Sequence, residues 1–145
     1  MPYWFDYPIR VQPHHTDYSG VVWHGNYIQW MESLRVNCLR QFGVRFEAFV
    51  DAGYDLPVVD LQLRYHHPLR LGMAGIVKGH ATTQGVRILW TYEIRANDPD
   101  DVDQLCVTSQ ITIVPVEIAR RKIARRLPDE LQQQLDAISE YFKSP

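Results

Sequence analysis

The chain has 145 residues, 46% hydrophobic and 22% charged, with 15 basic residues against 17 acidic ones for a formal net charge of −2. That length suits one domain, residues 1–145, able to bury about two-thirds of its unfolded surface without metal or disulfide staples. The composition excludes disorder, no apolar run approaches the roughly 18 residues of a membrane span, and the lack of an overall cationic field argues against non-specific nucleic-acid binding.

Two cysteines occur, Cys38 and Cys106, in segments that read as a helix and a strand and without metal-ligand spacing. A reducing compartment, the cytoplasm, fits that usage. Met1 to Arg10 has neither a basic n-region nor a continuous apolar stretch, so no secretion signal is expected.

In chain order, the first extended segment is predicted from about Tyr7 to His15, where Ile9 and Val11 alternate with Arg10 and Gln12. Pro8 and Pro13 assign it to a sheet edge. Tyr27, Met31, Leu34, Cys38 and Phe42 then recur at helical spacing, which predicts a helix from about Asn26 to Phe42, about 25 Å long. Asn26 and Gln29 are candidates for a capping pair, and Gly43 for a left-handed stop. A short helical turn follows at Arg45 to Val50. Period-2 patterns then dominate: Leu61, Leu63 and Tyr65, a weaker run from Ala74 to Thr82, Ile88 to Ile94, and Leu105 to Val114. Turns near Gln84-Gly85 and at Asn97 to Asp100 are too short for parallel crossovers, so antiparallel neighbours are expected. Pro128 opens a closing helix with Leu131, Leu135, Ile138 and Phe142 on one face. This order of elements reads as α+β.

The signatures of serine hydrolases, P-loop hydrolases, Rossmann dehydrogenases and H-E-x-x-H metalloproteases are absent from the sequence. The densest polar and aromatic cluster runs from His14 to Tyr27. It sets Asp17 and His24 in a Gly-containing loop leading into a helix start, where unpaired N–H groups and the positive dipole end suit a developing oxyanion. Asp17 can serve there as general base or nucleophile, and His24 can polarise a carbonyl. The alternative is that Asp17 bonds loop amides and His24 packs near the helix cap. Adjacent His14 and His15 would face opposite sides of a strand, so no metal centre is expected. Glu32 and Arg35, three apart on the helix, are expected to form a salt bridge. The basic run Arg120, Arg121, Lys122, Arg125 and Arg126 is either a solvated face or an attractor of phosphates. Trp23, Trp30, Trp90 and Tyr92 either line a pocket or fill the core.

Thr16-Asp17-x-x-Gly20-Val21-Val22-Trp23-His24-x-Asn26-Tyr27, followed by Trp30-Met31-Glu32 and Arg35, resembles the signature of hotdog-fold acyl-CoA thioesterases in the 4-hydroxybenzoyl-CoA thioesterase family. The resemblance implies a curved antiparallel sheet wrapped around one long helix, with the C-terminal helix added. It implies hydrolysis of an acyl thioester carried by coenzyme A or an acyl carrier protein, without a cofactor. Asp17 would be base or nucleophile, and the backbone amides of His24 and Gly25 would hold the oxyanion. Beside such a site the charge of Arg121 and Arg125 in the basic run could attract the nucleotide phosphates, the alternative being a solvated face. A homodimer or homotetramer, with the site between subunits, is also implied. The sequence departs from the family at His15, where an acidic residue is common, and at Pro68-Leu69-Arg70-Leu71-Gly72-Met73, where Pro-x-x-x-Gly-Asp is usual. The rival readings are a hotdog hydratase or dehydratase on acyl thioesters and a non-enzymatic acyl-thioester binding module.

Overall fold

Proline placement explains where the sheet begins. In the computed structural model, which describes residues 3–143, the first strand β1 (Phe5–Arg10) has one strand neighbour, as Pro8 requires, because proline offers no ladder N–H. The secretion-signal reading and the 1–145 domain extend onto Met1, Pro2, Ser144 and Pro145, outside the described residues. The strand stops earlier than expected. Val11 still exchanges backbone hydrogen bonds with Met73 and Gly72, but Pro13 fixes φ and opens a 3-10 turn, Pro13–His15. His14 and His15 therefore sit on that turn with ring centroids 4.1 Å apart, not on opposite faces of a strand.

The long helix α1 (Asn26–Gln41) buries Tyr27, Trp30, Met31, Leu34, Cys38 and Leu39 along one face. Each large apolar side chain so buried contributes about 1.5–3 kcal/mol. Gly43, at φ +76, ends the helix: its N–H donates to Arg40 O (3.1 Å) and the N–H of Val44 to Leu39 O (2.9 Å). Those two bonds satisfy carbonyls that the helix leaves over, and Gly is the residue that takes this φ without strain. The expected capping pair does not form. Gly25 is the N-cap, without a side-chain cap bond, and Asn26 is the first helical residue and is buried.

After α2 (Phe46–Asp51) and a two-residue strand β2 (Tyr54–Asp55), the chain lays down β3 (Val58–Tyr65), β4 (Ala74–Gln84), β5 (Arg87–Asp98) and β6 (Asp101–Ile113). All pairings in this sheet are antiparallel, in the order β1-β4-β5-β6-β3. Trp90, Tyr92 and Ile94 alternate into the core as their spacing predicts, and a Cβ on Gly79 would lie 2.9 Å from Leu34, so α1 approaches the sheet closely there. The strands β7 (Val116–Glu117) and β8 (Lys122–Ile123) join β2 in a small second sheet that hydrophobic periodicity did not signal. The closing helix α3 (Asp129–Lys143) buries Leu131, Leu135, Ile138 and Phe142. Phe42, Tyr141 and Phe142 form an aromatic cluster over the C-terminal end of α1.

Arg35 corrects a sequence expectation. It is 9% exposed and donates from Nη1 to the Tyr92 hydroxyl at 3.2 Å instead of pairing with Glu32, because its place on α1 turns it toward the core. Cys38 and Cys106 are buried and free. No helix among the described residues is long and apolar enough to cross a membrane.

Candidate active site

The segment before α1 is fixed by backbone bonds on two sides. Trp23 N–H donates to His15 O (2.9 Å), Asp17 N–H to Val21 O (2.8 Å), and Thr16 and Val22 form an isolated bridge, so the loop doubles back on itself. A second segment clamps it from outside: Val22 N–H donates to Leu69 O (2.9 Å) and Leu71 N–H to Gly20 O (3.1 Å). The turn between the two arms needs Gly20 at φ +78. At its start, Asp17 Oδ1 accepts the Ser19 N–H at 2.8 Å, and the carboxylate is exposed. Asp17 thus makes the loop-amide bond foreseen for it, with its second oxygen unengaged by any protein donor among the described residues.

Beyond the loop, Asn26 N–H turns back to Trp23 O (2.9 Å) and the helix begins. Among the described residues, the N–H groups of His24 and Gly25 donate to no protein acceptor. They stand at the positive end of α1, where unpaired amides favour negative charge. Gly25 also lets the Trp23 indole lie across the helix start, since a Cβ there would come within 2.3 Å of the ring. Trp23 is 48% exposed, whereas Trp30, Trp90 and Tyr92 fill the core.

Beside this helix start lies a cavity of about 230 Å³, lined by Val22, His24, Tyr27, Tyr65, His66, His67 and Pro68. Tyr65 donates its hydroxyl to His24 O at 2.7 Å, tying the end of β3 to the start of α1. The Tyr27 hydroxyl accepts the Leu69 N–H at 3.1 Å. Burial pushes both phenols up, the Leu69 bond partly opposing this at Tyr27, so both stay protonated at neutral pH. Burial and neighbouring His14 push His15 down, and its Nδ1 accepts the Gln12 N–H at 2.8 Å.

His24 lines this cavity, with Gly25 next in the chain at the helix start, but Asp17 does not line it and makes no hydrogen bond to His24 among the described residues. Tyr65, which the period-2 pattern set on a strand, and His67 do line it. The signal for Tyr65 was its period-2 placement on the α1 side of β3. A larger recess of about 580 Å³ opens on the other face of the sheet, among Trp4, Gln62, Arg64, Thr91 and Glu93, and no motif residue reaches it. Arg121 and Arg125 lie elsewhere, exposed on the β7–β8 hairpin and the segment after it. No group of three or more His, Cys, Asp or Glu among the described residues is placed to hold a metal ion.

A sequence profile described as the thioesterase-like superfamily matches residues 11–135. The chain belongs to that superfamily. It is 48% identical over 133 residues to the esterase-named protein sll0410 of Synechocystis sp., covering 91% of this chain and 78% of that one. It is 24% identical over 130 residues to the acyl-CoA thioester hydrolase YbgC of Escherichia coli O6:H1, covering 89% and 96%. A solved 1,4-dihydroxy-2-naphthoyl-CoA thioesterase from Synechocystis superposes with a TM-score of 0.84 at 22% identity, covering 98% of this chain and 99% of that one. That likeness shows the hotdog fold, and the span matched by the superfamily profile, residues 11–135, includes the loop and helix start described above.

Proposed function

We propose that this chain is an acyl-CoA thioesterase, and the observation that carries the reading is the pair of unpartnered amides at His24 and Gly25 opening beside an aromatic cavity. In a thioesterase the carbonyl oxygen gains charge as the tetrahedral intermediate forms, and donors already aimed at that oxygen stabilise it without reorganising. Asp17 either takes a proton from the attacking water or attacks the carbonyl carbon itself, giving an anhydride that water then opens. On either course the C–S bond breaks, the sulfur leaves as a thiol after protonation, and the acyl group leaves as a free acid. The His24 imidazole assists in polarising the carbonyl. The acyl-CoA name of the YbgC relative supports coenzyme A over an acyl carrier protein as the carrier.

The assembly we propose is a homodimer through β3. That strand is exposed at every position but Leu63, has β6 as its one neighbour, contains no proline, and turns Leu61, Leu63 and Tyr65 toward the α1 side. Such an unprotected edge is a template for pairing, whereas Pro8 and the Asp6–Lys78 ion pair (2.9 Å) blunt the β1 edge. One core shared by the sheet, α1 and α3 supports treating residues 1–145 as one catalytic domain, and the two buried free thiols support a cytoplasmic setting.

The test is release of free thiol from a panel of acyl-CoA substrates, followed with a thiol-reactive dye. Turnover on any member supports hydrolysis. Water addition to an enoyl-CoA without thiol release would identify a hydratase instead, and binding without either reaction would leave a binding module.

A further inference from the structure

We propose, resting on the thioesterase reading above, that His15 is a positioning residue: its neutral imidazole fixes the turn that carries both arms of the loop holding Asp17 and His24, and protonation of that ring loosens the loop and slows turnover. Three hydrogen bonds converge on this half-buried residue. Its N–H donates to Gln12 O at 2.9 Å, its Nδ1 accepts the Gln12 N–H at 2.8 Å, and its carbonyl accepts the Trp23 N–H at 2.9 Å. The first two close a reciprocal ring across the 3-10 turn Pro13–His15. The third ties that turn to the far arm of the loop, one residue before His24, while Asp17 follows two residues on along the near arm.

The hold reaches back to the sheet. Val11 exchanges backbone bonds with Met73 (2.9 Å) and Gly72 (3.0 Å) where β1 ends, and Gln12 is the next residue. The segment after β3 clamps the loop at Gly20 and Val22, near its tip, whereas His15 joins the two arms at the base. From α1 the Trp30 ring meets the imidazole edge-on, with centroids 5.0 Å apart. Loosening His15 therefore moves Asp17 relative to the helix start. Attack on a carbonyl held by the His24 and Gly25 amides depends on that separation, because reacting groups displaced by about 1 Å lose rate steeply.

One protonation state makes this geometry. An imidazole nitrogen accepts a hydrogen bond through its lone pair, so Nδ1 is bare and the ring proton sits on Nε2. A second proton, placed on Nδ1, turns the acceptor into a donor that faces the Gln12 N–H. The surroundings favour the bare nitrogen: burial and the His14 ring, 4.1 Å away on the same turn, push His15 below the ordinary 6.5, and the α1 neighbour Trp30 carries no charge. Among the described residues no carboxylate lies within ion-pairing distance of either imidazole. The ordered loop therefore binds the proton only at lower pH than the loosened one, and its order is lost as pH falls through that interval. An acidic residue is common in the family at this position, and a carboxylate stays an acceptor down to about pH 4, so the titrating acceptor belongs to this chain.

Kinetics of three proteins test the switch. The wild-type kcat on an acyl-CoA should fall roughly tenfold or more between about pH 8 and about pH 5.5. His15→Asn sets a carboxamide oxygen, which does not titrate, where Nδ1 stands. It should keep kcat within about threefold of the wild type at about pH 8 and lose much less of it on acidification. His15→Leu has no acceptor and should be roughly tenfold slower at about pH 8. Asp17 and His24 are present in all three, so their own titrations cancel in the comparison. An acid fall in His15→Asn equal to that of the wild type would overturn the switch, and a wild-type rate in His15→Leu would mean that His15 positions nothing. Long-range proton–nitrogen correlation spectra of the imidazole rings, assigned by difference from His15→Asn, need no substrate. A bare Nδ1 at about pH 8, with the Asp17 and Trp23 amide signals shifting in step as His15 titrates, supports the proposal; a protonated Nδ1 or indifferent amides overturn it. That result stands apart from the hydrolase reading, which fails if the wild type releases no thiol from any acyl-CoA.

Discussion

The two ends of α1 are built on opposite plans. At the C-terminal end Gly43 and Val44 satisfy the leftover carbonyls, and Phe42 stacks within 3.6 Å of the Tyr141 ring and 5.7 Å of the Phe142 ring, so the end is closed by packing. At the N-terminal end, among the described residues, no side chain caps the helix, the His24 and Gly25 amides have no protein acceptor, and the neighbouring rings border a cavity instead of filling it. One helix thus anchors the fold at one end and presents donors at the other. Leaving hydrogen-bonding groups unsatisfied weakens a fold, and the aromatic cap at the far end supplies stability that the open end does not.

If that division holds, the largest effect of a single truncation on stability belongs to the closed end. Phe142→Ala should lower the unfolding free energy by about 3–5 kcal/mol in a urea titration while the folded fraction keeps its kcat. A loss under about 1 kcal/mol would mean that α3 does not anchor α1. At the open end the pattern should invert. Asp17→Asn should cut kcat by at least roughly a hundredfold, about 2.7 kcal/mol of activation free energy, with Tm little changed. Near-wild-type turnover in the folded variant would remove Asp17 from the chemistry.

Smaller effects sharpen the same contrast. His24→Ala should lower kcat by roughly tenfold, because the backbone amides remain to hold the oxyanion. Tyr65→Phe removes one hydrogen bond to the His24 carbonyl, worth about 1 kcal/mol, and should cost only a few-fold. A larger loss in Tyr65→Phe than in His24→Ala would show that the position of the helix start matters more than the imidazole.

The smallest effect concerns His80, which stacks edge-on with Trp4 at 4.6 Å and faces Phe142 at 6.4 Å. Burial pushes its pKa below the ordinary 6.5, with Glu93 opposing, and its Nδ1 is buried without a hydrogen-bond partner among the described residues. The unfolded chain therefore takes up a proton at this residue near pH 6.5 and the folded chain only at lower pH. Between those values the unfolded state binds more protons, so the neutral imidazole supports the fold above pH 6.5 and that support is lost as pH falls through the window. His80→Gln should show a shallower fall in Tm over the same window than the wild type, and parallel Tm curves would contradict the assignment.

The parts of the molecule that could be read from the sequence are those governed by local rules. Apolar spacing located α1, α3 and the core strands because burial repeats every 3.6 or 2 residues. The loop motif pointed to the start of α1, where the N–H groups of His24 and Gly25 have no protein acceptor among the described residues. Readings failed where tertiary contacts decide. Arg35 turned from Glu32 to Tyr92 because its face of α1 is buried, the two-residue strands β2, β7 and β8 are too short to carry a period, and Val11 joined the backbone of Gly72 and Met73 after β1 had ended. Tyr65 and His67 reached the cavity through folding of β3 and the segment after it, which no sequence spacing between residues 24 and 65 encodes.

The two buried cysteines have a consequence for redox behaviour. A protein that liberates coenzyme A works beside a constant supply of free thiol, the usual entry point for mixed disulfides. Burial pushes the Cys38 thiol up to about 12 and also raises Cys106, so neither offers an appreciable thiolate near neutral pH. Exchange proceeds through the thiolate and requires access, and both conditions fail here. Glutathione or the released product should therefore leave the folded chain unmodified, and a thiol-reactive dye should register the product with almost no contribution from the protein itself.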